Sequence, residues 1–154
     1  MIPPDKLDVQ KLCELIDPFK TLTSQCSDDL LICRSTDGVS IELIRRHLDV
    51  NNFNSKVYTK EPDLWTVDDH AARIAWLVKF GWNCPIEIDF GIPSLGHCWY
   101  PLIDGHHRFA AAIFKFDNWI MANCSGDVKE IEHYSWRDHD IHTQRDQGSG
   151  DTTP

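Results

Sequence analysis

No apolar run in this sequence approaches the ~20 residues that a membrane-spanning helix needs, and no such span is expected. The opening Met1-Ile2-Pro3-Pro4-Asp5 has neither the basic flank nor the apolar core of a secretory leader. Positive charge is scarce: 15 Lys and Arg face 24 Asp and Glu, a net charge of −9. Such a surface repels nucleic-acid phosphates at long range, which weighs against non-specific DNA binding. Internal repeats are absent. So is any Cys-x-x-Cys pair, although six cysteines occur, at 13, 26, 33, 84, 98 and 124. Their places, several in apolar runs such as Leu31-Ile32-Cys33, lead us to expect buried, reduced thiols of a cytoplasmic protein. The alternative is a secreted disulfide scaffold.

What remains is ordinary globular material. With 154 residues, 42% of them hydrophobic, the chain can bury one real core. Residues 5–17 read as a short amphipathic helix, with Leu7, Leu12, Leu15 and Ile16 on one side and Pro18 as its stop. Short strands are expected at 30–34 and 56–59, and a helix at 41–48 capped by Ser40, with Arg45, Arg46 and His47 at its favourable end. Thr66-Val67-Asp68-Asp69 is the plainest helix start in the chain: Thr66 caps the free N–H groups and the acids suit the first turn. That helix runs to Gly81. Ile86, Ile88 and Phe90 alternate with Glu87 and Asp89, the pattern of a half-buried strand. A strand at 98–103, an Ala-rich helix after it, a strand at 118–123 and a weaker element at 128–134 complete the reading. This order predicts a small α+β domain, a mixed sheet with packed helices. It spans 1–134 with an N-terminal helical extension, and a loose polar tail covers 135–154.

The chemistry concentrates at Asp104-Gly105-His106-His107-Arg108. A strand that breaks at Gly and opens directly into a helix aims free N–H groups and the positive dipole end at whatever lies above the turn. That is an anion trap, most often for phosphate. His106, His107 and Arg108 add donors and charge, Arg with two parallel hydrogen bonds. Gly105 permits a positive φ and a close backbone approach. Asp104, beside such a cradle, suits a Mg²⁺ ligand or a general base. A plain surface turn, with Asp104 as its cap or as a salt-bridge partner of Arg108, is the competing reading.

The run Tyr100-Pro101-Leu102-Ile103-Asp104-Gly105-His106-His107-Arg108-Phe109-Ala110-Ala111-Ala112 resembles the signature of the ParB/sulfiredoxin-like superfamily. The preceding helix and strand fit the same pattern, so the likeness covers about residues 66–124. The resemblance implies a nucleotide-binding domain in which Gly105, His106, His107 and Arg108 contact the phosphates of ATP or CTP. Asp104 and His107 would then be the catalytic candidates, and Asp104 the ligand of Mg²⁺, in an NTP-dependent phosphotransferase or NTPase. His106 stands where sulfiredoxins carry a reactive Cys, so sulfinic-acid reduction is not expected. Too little chain follows residue 124 for the DNA-binding and dimerisation regions of ParB proper. The alternatives are a non-catalytic nucleotide- or partner-binding regulator from a mobile element, and a ParB-like DNA-binding or nuclease domain.

Other polar groups carry competing readings. Asp68, Asp69 and His70 either face the ligand or simply satisfy the dipole of their helix. The adjacent His106 and His107 point in different directions with no Cys or His at zinc spacing nearby, so zinc is not expected there, while Asp138-His139-Asp140-Ile141-His142 reads either as a weak metal chelator or as a solvated stretch of a polar tail. Six Trp is high for this length. Trp76, Trp99 and Trp119 are expected in the core, while Trp65, Trp82 and Trp136 lie near loops, where one can stack on a base.

Overall fold

Thr66 opens the helix that the sequence marks most plainly, and the computed structural model shows why it starts there. The structure describes residues 4–16, 19, 36, 38–51, 53, 61, 64–92 and 101–137. The Thr66 hydroxyl accepts from the Asp69 backbone N–H at 3.1 Å, and the Thr66 N–H donates to the Asp69 carboxylate at 3.0 Å. This reciprocal box satisfies two donors that a helix start otherwise leaves open. In chain order the elements are β1 (Asp5–Asp8), α1 (Val9–Leu12), α2 (Ile41–Val50), α3 (Val67–Phe80), β2 (Ile86–Asp89), β3 (Leu102–Asp104), α4 (His106–Phe114), β4 (Trp119–Ser125) and α5 (Val128–Tyr134). The class is α+β, with a small mixed sheet and packed helices. Among the described residues no helix is long and apolar enough to cross a membrane.

The chain divides into two compact units, both discontinuous in sequence: Met1–Asp17 with Asn83–Gly105 and Lys115–Pro154, and Pro18–Trp82 with His106–Phe114. The first holds the sheet, in the order β1-β4-β2-β3. β4 pairs antiparallel with β1, Leu7 opposite Ile120, and parallel with β2, Ile88 opposite Cys124. β2 pairs antiparallel with β3, Glu87 opposite Asp104. Alternation along β2 buries Ile86 and Ile88 and exposes Glu87, as a half-covered sheet requires. Ile120 and Ala122 of β4 and Leu102 of β3 are also buried, and Phe90 stacks on Tyr134 with ring centroids 5.4 Å apart.

The second unit is helical. Ser40 caps α2 by accepting from the Leu43 N–H, and Asn51 ends it in the left-handed conformation. Ile44 of α2, Ala71, Ile74, Ala75 and Leu77 of α3, and Ala110 and Ala111 of α4 form one apolar cluster. Alanine on the meeting faces lets α3 and α4 come close. That closeness sets the geometry of the site below.

Four expectations need correction. Residues 5–8 are a strand, and only Val9–Leu12 are helical. Asp8 decides the boundary, since its carboxylate accepts from the Lys11 N–H at 3.0 Å and so caps the helix there, while Leu7 belongs to the ladder with β4. Cys13 and Cys84 are exposed and Cys124 half-buried, because Cys13 follows the end of α1 and Cys84 lies in the turn before β2. Trp76 is 36% exposed on the outer face of α3 instead of in the core. The chain after Tyr134 is not loose at its start: Ser135 bridges to Leu7, and the Trp136 N–H donates to the Lys6 carbonyl. The strands expected at 30–34 and 56–59, the first half of 98–103 with Trp99, the cysteines at 26, 33 and 98, and the 138–142 stretch lie outside the described residues.

Candidate functional site

α4 begins at His106, so His106, His107 and Arg108 fill its first turn, all half-buried. Gly105 precedes them with φ +106°, in the left-handed half of conformational space. Its lack of a side chain has a packing reason of its own: a Cβ there would stand 2.5 Å from Ile86 Cγ2 and 2.8 Å from Ile86 Cβ. Asp104 ends β3, exposed, directly opposite the exposed Glu87. Two carboxylates so placed repel each other.

The acids at the start of α3 have structural work. Asp69, 3% exposed, closes the capping box, and Asp68 accepts from the His47 imidazole, Nε2 to Oδ1 at 2.9 Å. His70 is the residue of that turn that reaches α4. Its Nδ1 lies 2.9 Å from His107 Nε2, with the two rings stacked at 5.1 Å and 25°. Trp65 lies against both imidazoles, 4.9 Å from His70 and 5.8 Å from His107 between centroids. The first turns of α3 and α4 are therefore joined through two imidazoles.

A nitrogen–nitrogen hydrogen bond between imidazoles needs one N–H and one lone pair, so at least one ring must be neutral. Its surroundings settle which. Burial lowers the His107 pKa to about 3, helped by the charges of His70, Arg73, His106 and Arg108. His70 is also lowered, by burial first, with the Asp69 carboxylate pulling the other way. Near neutral pH His107 is an uncharged donor and acceptor. It brings a dipole to the site, not a charge.

The charge comes from two arginines. Arg108 belongs to the first turn of α4, and Arg73 lies one turn beyond His70 on α3. Burial, and then the charge of Arg108, lowers the Arg73 pKa from the usual guanidinium range, so these two cations feel each other. Sequence reasoning missed Arg73. The available signal was its spacing of three from His70, which puts both on one face of a helix, together with an Arg standing among Ala71, Ala72, Ile74 and Ala75. Among the described residues, no group of three or more His, Cys, Asp or Glu side chains is placed to hold a metal ion. Two guanidiniums and imidazole donors at a helix start can hold a multivalent oxyanion.

No protein-family model, curated protein or solved structure matches the chain.

Proposed function

We propose that the chain is a nucleotide-phosphate-binding protein of the ParB/sulfiredoxin-like kind, receiving phosphate at the first turn of α4 through Arg108, Arg73 and the imidazole donors. One observation carries this reading: His70 and His107 join the first turns of α3 and α4 at 2.9 Å, and the half-buried Arg73 and Arg108 stand on those same two helices, with the Arg108 charge felt at Arg73. Like charges held together outside bulk water cost free energy. A bound oxyanion turns that repulsion into two charge-assisted contacts. The order that carries the family likeness also supports the reading: α3 ends at Gly81, β2 and β3 follow, and Gly105 leads straight into α4.

In this proposal ATP or CTP is the ligand. Asp104 is the carboxylate proposed for Mg²⁺, an ion that takes one or two carboxylates and keeps water in its other positions. A specific observation favours binding without turnover as a second reading. An imidazole with a pKa of about 3 is a weak base and is unprotonated at neutral pH, so His107 suits phosphate contact better than proton transfer. Phosphoryl transfer would then have to rest on Asp104.

Titration calorimetry with ATP, ADP, CTP and GTP, with and without Mg²⁺, tests the proposal. Arg108→Ala should weaken the preferred nucleotide about ten- to a hundredfold, the cost of one charge-assisted hydrogen-bonding group. Arg108→Lys should recover only part, because an ammonium cannot make the paired contact. If no nucleotide binds the wild-type protein, or Arg108→Ala binds equally well, the proposal fails. Product analysis on any hit separates turnover from binding.

A further inference from the structure

The outer face of α3 continues away from the imidazole pair as a single stripe: His70, Arg73, Trp76 and Phe80, at spacings of three, three and four. Two of these break the pattern of a soluble helix. Trp76 is 36% exposed and Phe80 58% exposed, although Ile74, Ala75 and Leu77 on the other face are buried. The exposed pair is ordered by contact. The Trp76 and Phe80 ring centroids lie 5.1 Å apart at 44°, and Phe80 meets Phe53 edge-on at 5.7 Å. The Arg73 guanidinium lies over the Trp76 ring, 4.8 Å from its centroid. Arg73 therefore belongs at once to the cationic pair with Arg108 and to an exposed aromatic surface.

A ligand complementary to this stripe carries an anionic group and, within one helical turn of it, a flat apolar ring. Inorganic phosphate has no use for the aromatic half, and a purely aromatic ligand has none for the two cations. We propose that Trp76 and Phe80 form the platform on which the base of a mononucleotide lies, while its phosphates are held at Arg73 and Arg108. The inference rests on the phosphate reading above and adds to it the source of affinity for the base. Stacking on an aromatic face accepts every base, because each has a π surface, so the platform raises affinity without strong choice among them. With its guanidinium over Trp76, Arg73 places the cationic and aromatic halves of the stripe side by side.

The experiment compares tripolyphosphate with ATP, CTP and GTP by titration calorimetry on the wild-type chain and on Trp76→Ala, Phe80→Ala and Trp76→Phe. All three substitutions fall on exposed side chains, and a circular-dichroism melt of each variant checks that the fold is kept. Trp76→Ala should weaken all three nucleotides about ten- to a hundredfold, the range of one base–aromatic stack. It should leave tripolyphosphate within about twofold of the wild type, the change expected where no contact with the anion is lost. Phe80→Ala should act in the same direction with a smaller effect, and Trp76→Phe should keep most of the affinity. If both alanine variants bind nucleotides like the wild type while Arg108→Ala loses them, the platform is wrong and the phosphate reading stands. If Trp76→Ala weakens tripolyphosphate as much as nucleotides, Trp76 acts on Arg73 and not on a base, which also overturns the inference. If the wild type binds neither kind of ligand, both readings fall together.

Discussion

Acid should loosen this protein through His107 before most carboxylates titrate. The folded chain keeps the His107 imidazole neutral, its pKa lowered from 6.5 to about 3 by burial and four neighbouring cationic or cationisable groups. In the unfolded chain the same group takes up a proton near its ordinary value. Between those two values the unfolded state binds more protons, so stability falls as the pH falls. The contribution is fully present above about pH 6.5 and is lost progressively toward about pH 3. The cost follows from the unfolded-state proton alone: about 1 kcal/mol at pH 5.5 and about 3 kcal/mol at pH 4.5. His107→Gln removes the titration while keeping a side chain that both donates and accepts toward His70. Urea unfolding of the two proteins at pH 7.0, 5.5 and 4.5 isolates the contribution of His107, since the carboxylates are common to both. His70 is lowered too and adds a slope of the same sign to each curve. The wild type should lose about 2–3 kcal/mol more than the variant between pH 7.0 and 4.5. Equal slopes, or a His107 ring proton that titrates near pH 6.5 by NMR in the folded protein, would refute the reasoning.

Gly105→Ala should destabilise by about 1–3 kcal/mol, measured by urea unfolding, because the new methyl would meet Ile86 Cγ2 at 2.5 Å and φ is +106°. A neutral outcome would mean that β2 yields easily at Ile86. Thr66→Ala removes half of the capping box and should cost about 0.5–2 kcal/mol in the same measurement, while Thr66→Ser should restore most of it. On nucleotide affinity, Arg73→Ala should act in the same direction as Arg108→Ala. The double variant should lose less than the sum of the two, since removing either arginine also relieves the repulsion felt by the other.

Local chemistry made much of the helical unit legible. Thr66, Asp69 and Gly81 mark the ends of α3 by capping rules that act within one turn, and Ser40 does the same for α2. The turn from β3 into α4 was legible for the same reason, since Gly105 and the alanines that follow it are neighbours in sequence. β1 was hidden because Leu7 reads as the start of the helix that Leu12, Leu15 and Ile16 mark, whereas Leu7 is held by Ile120, a partner that no local pattern reveals. The candidate site was legible by halves. His106, His107 and Arg108 stood out as a cluster, but Arg73 acquires its meaning from α4, a helix that begins more than thirty residues later. Gly105 was read as room for a ligand, and the structure supplies Ile86 as the nearer reason. Exposure of Trp76 was equally hidden, because an aromatic residue among alanines and leucines has the composition of a core.

The pairing of β1 with β4 bears on how the chain reaches this state during synthesis. Leu7 leaves the ribosome long before Ile120, its ladder partner, exists. β2 can pair with β3 early, but its other edge waits for β4, which lies between it and β1, parallel to β2 and antiparallel to β1. The sheet thus closes only after its central strand, the last of the four, emerges, whereas α2 and α3 can meet well before that. Contacts so distant along the chain are slow to form, and an unpaired strand with a buried-type face is open to association with other chains meanwhile. A nascent chain stalled before Trp119 would present β1 and β2 without their common partner, and is the species for which a holding chaperone has the most to do.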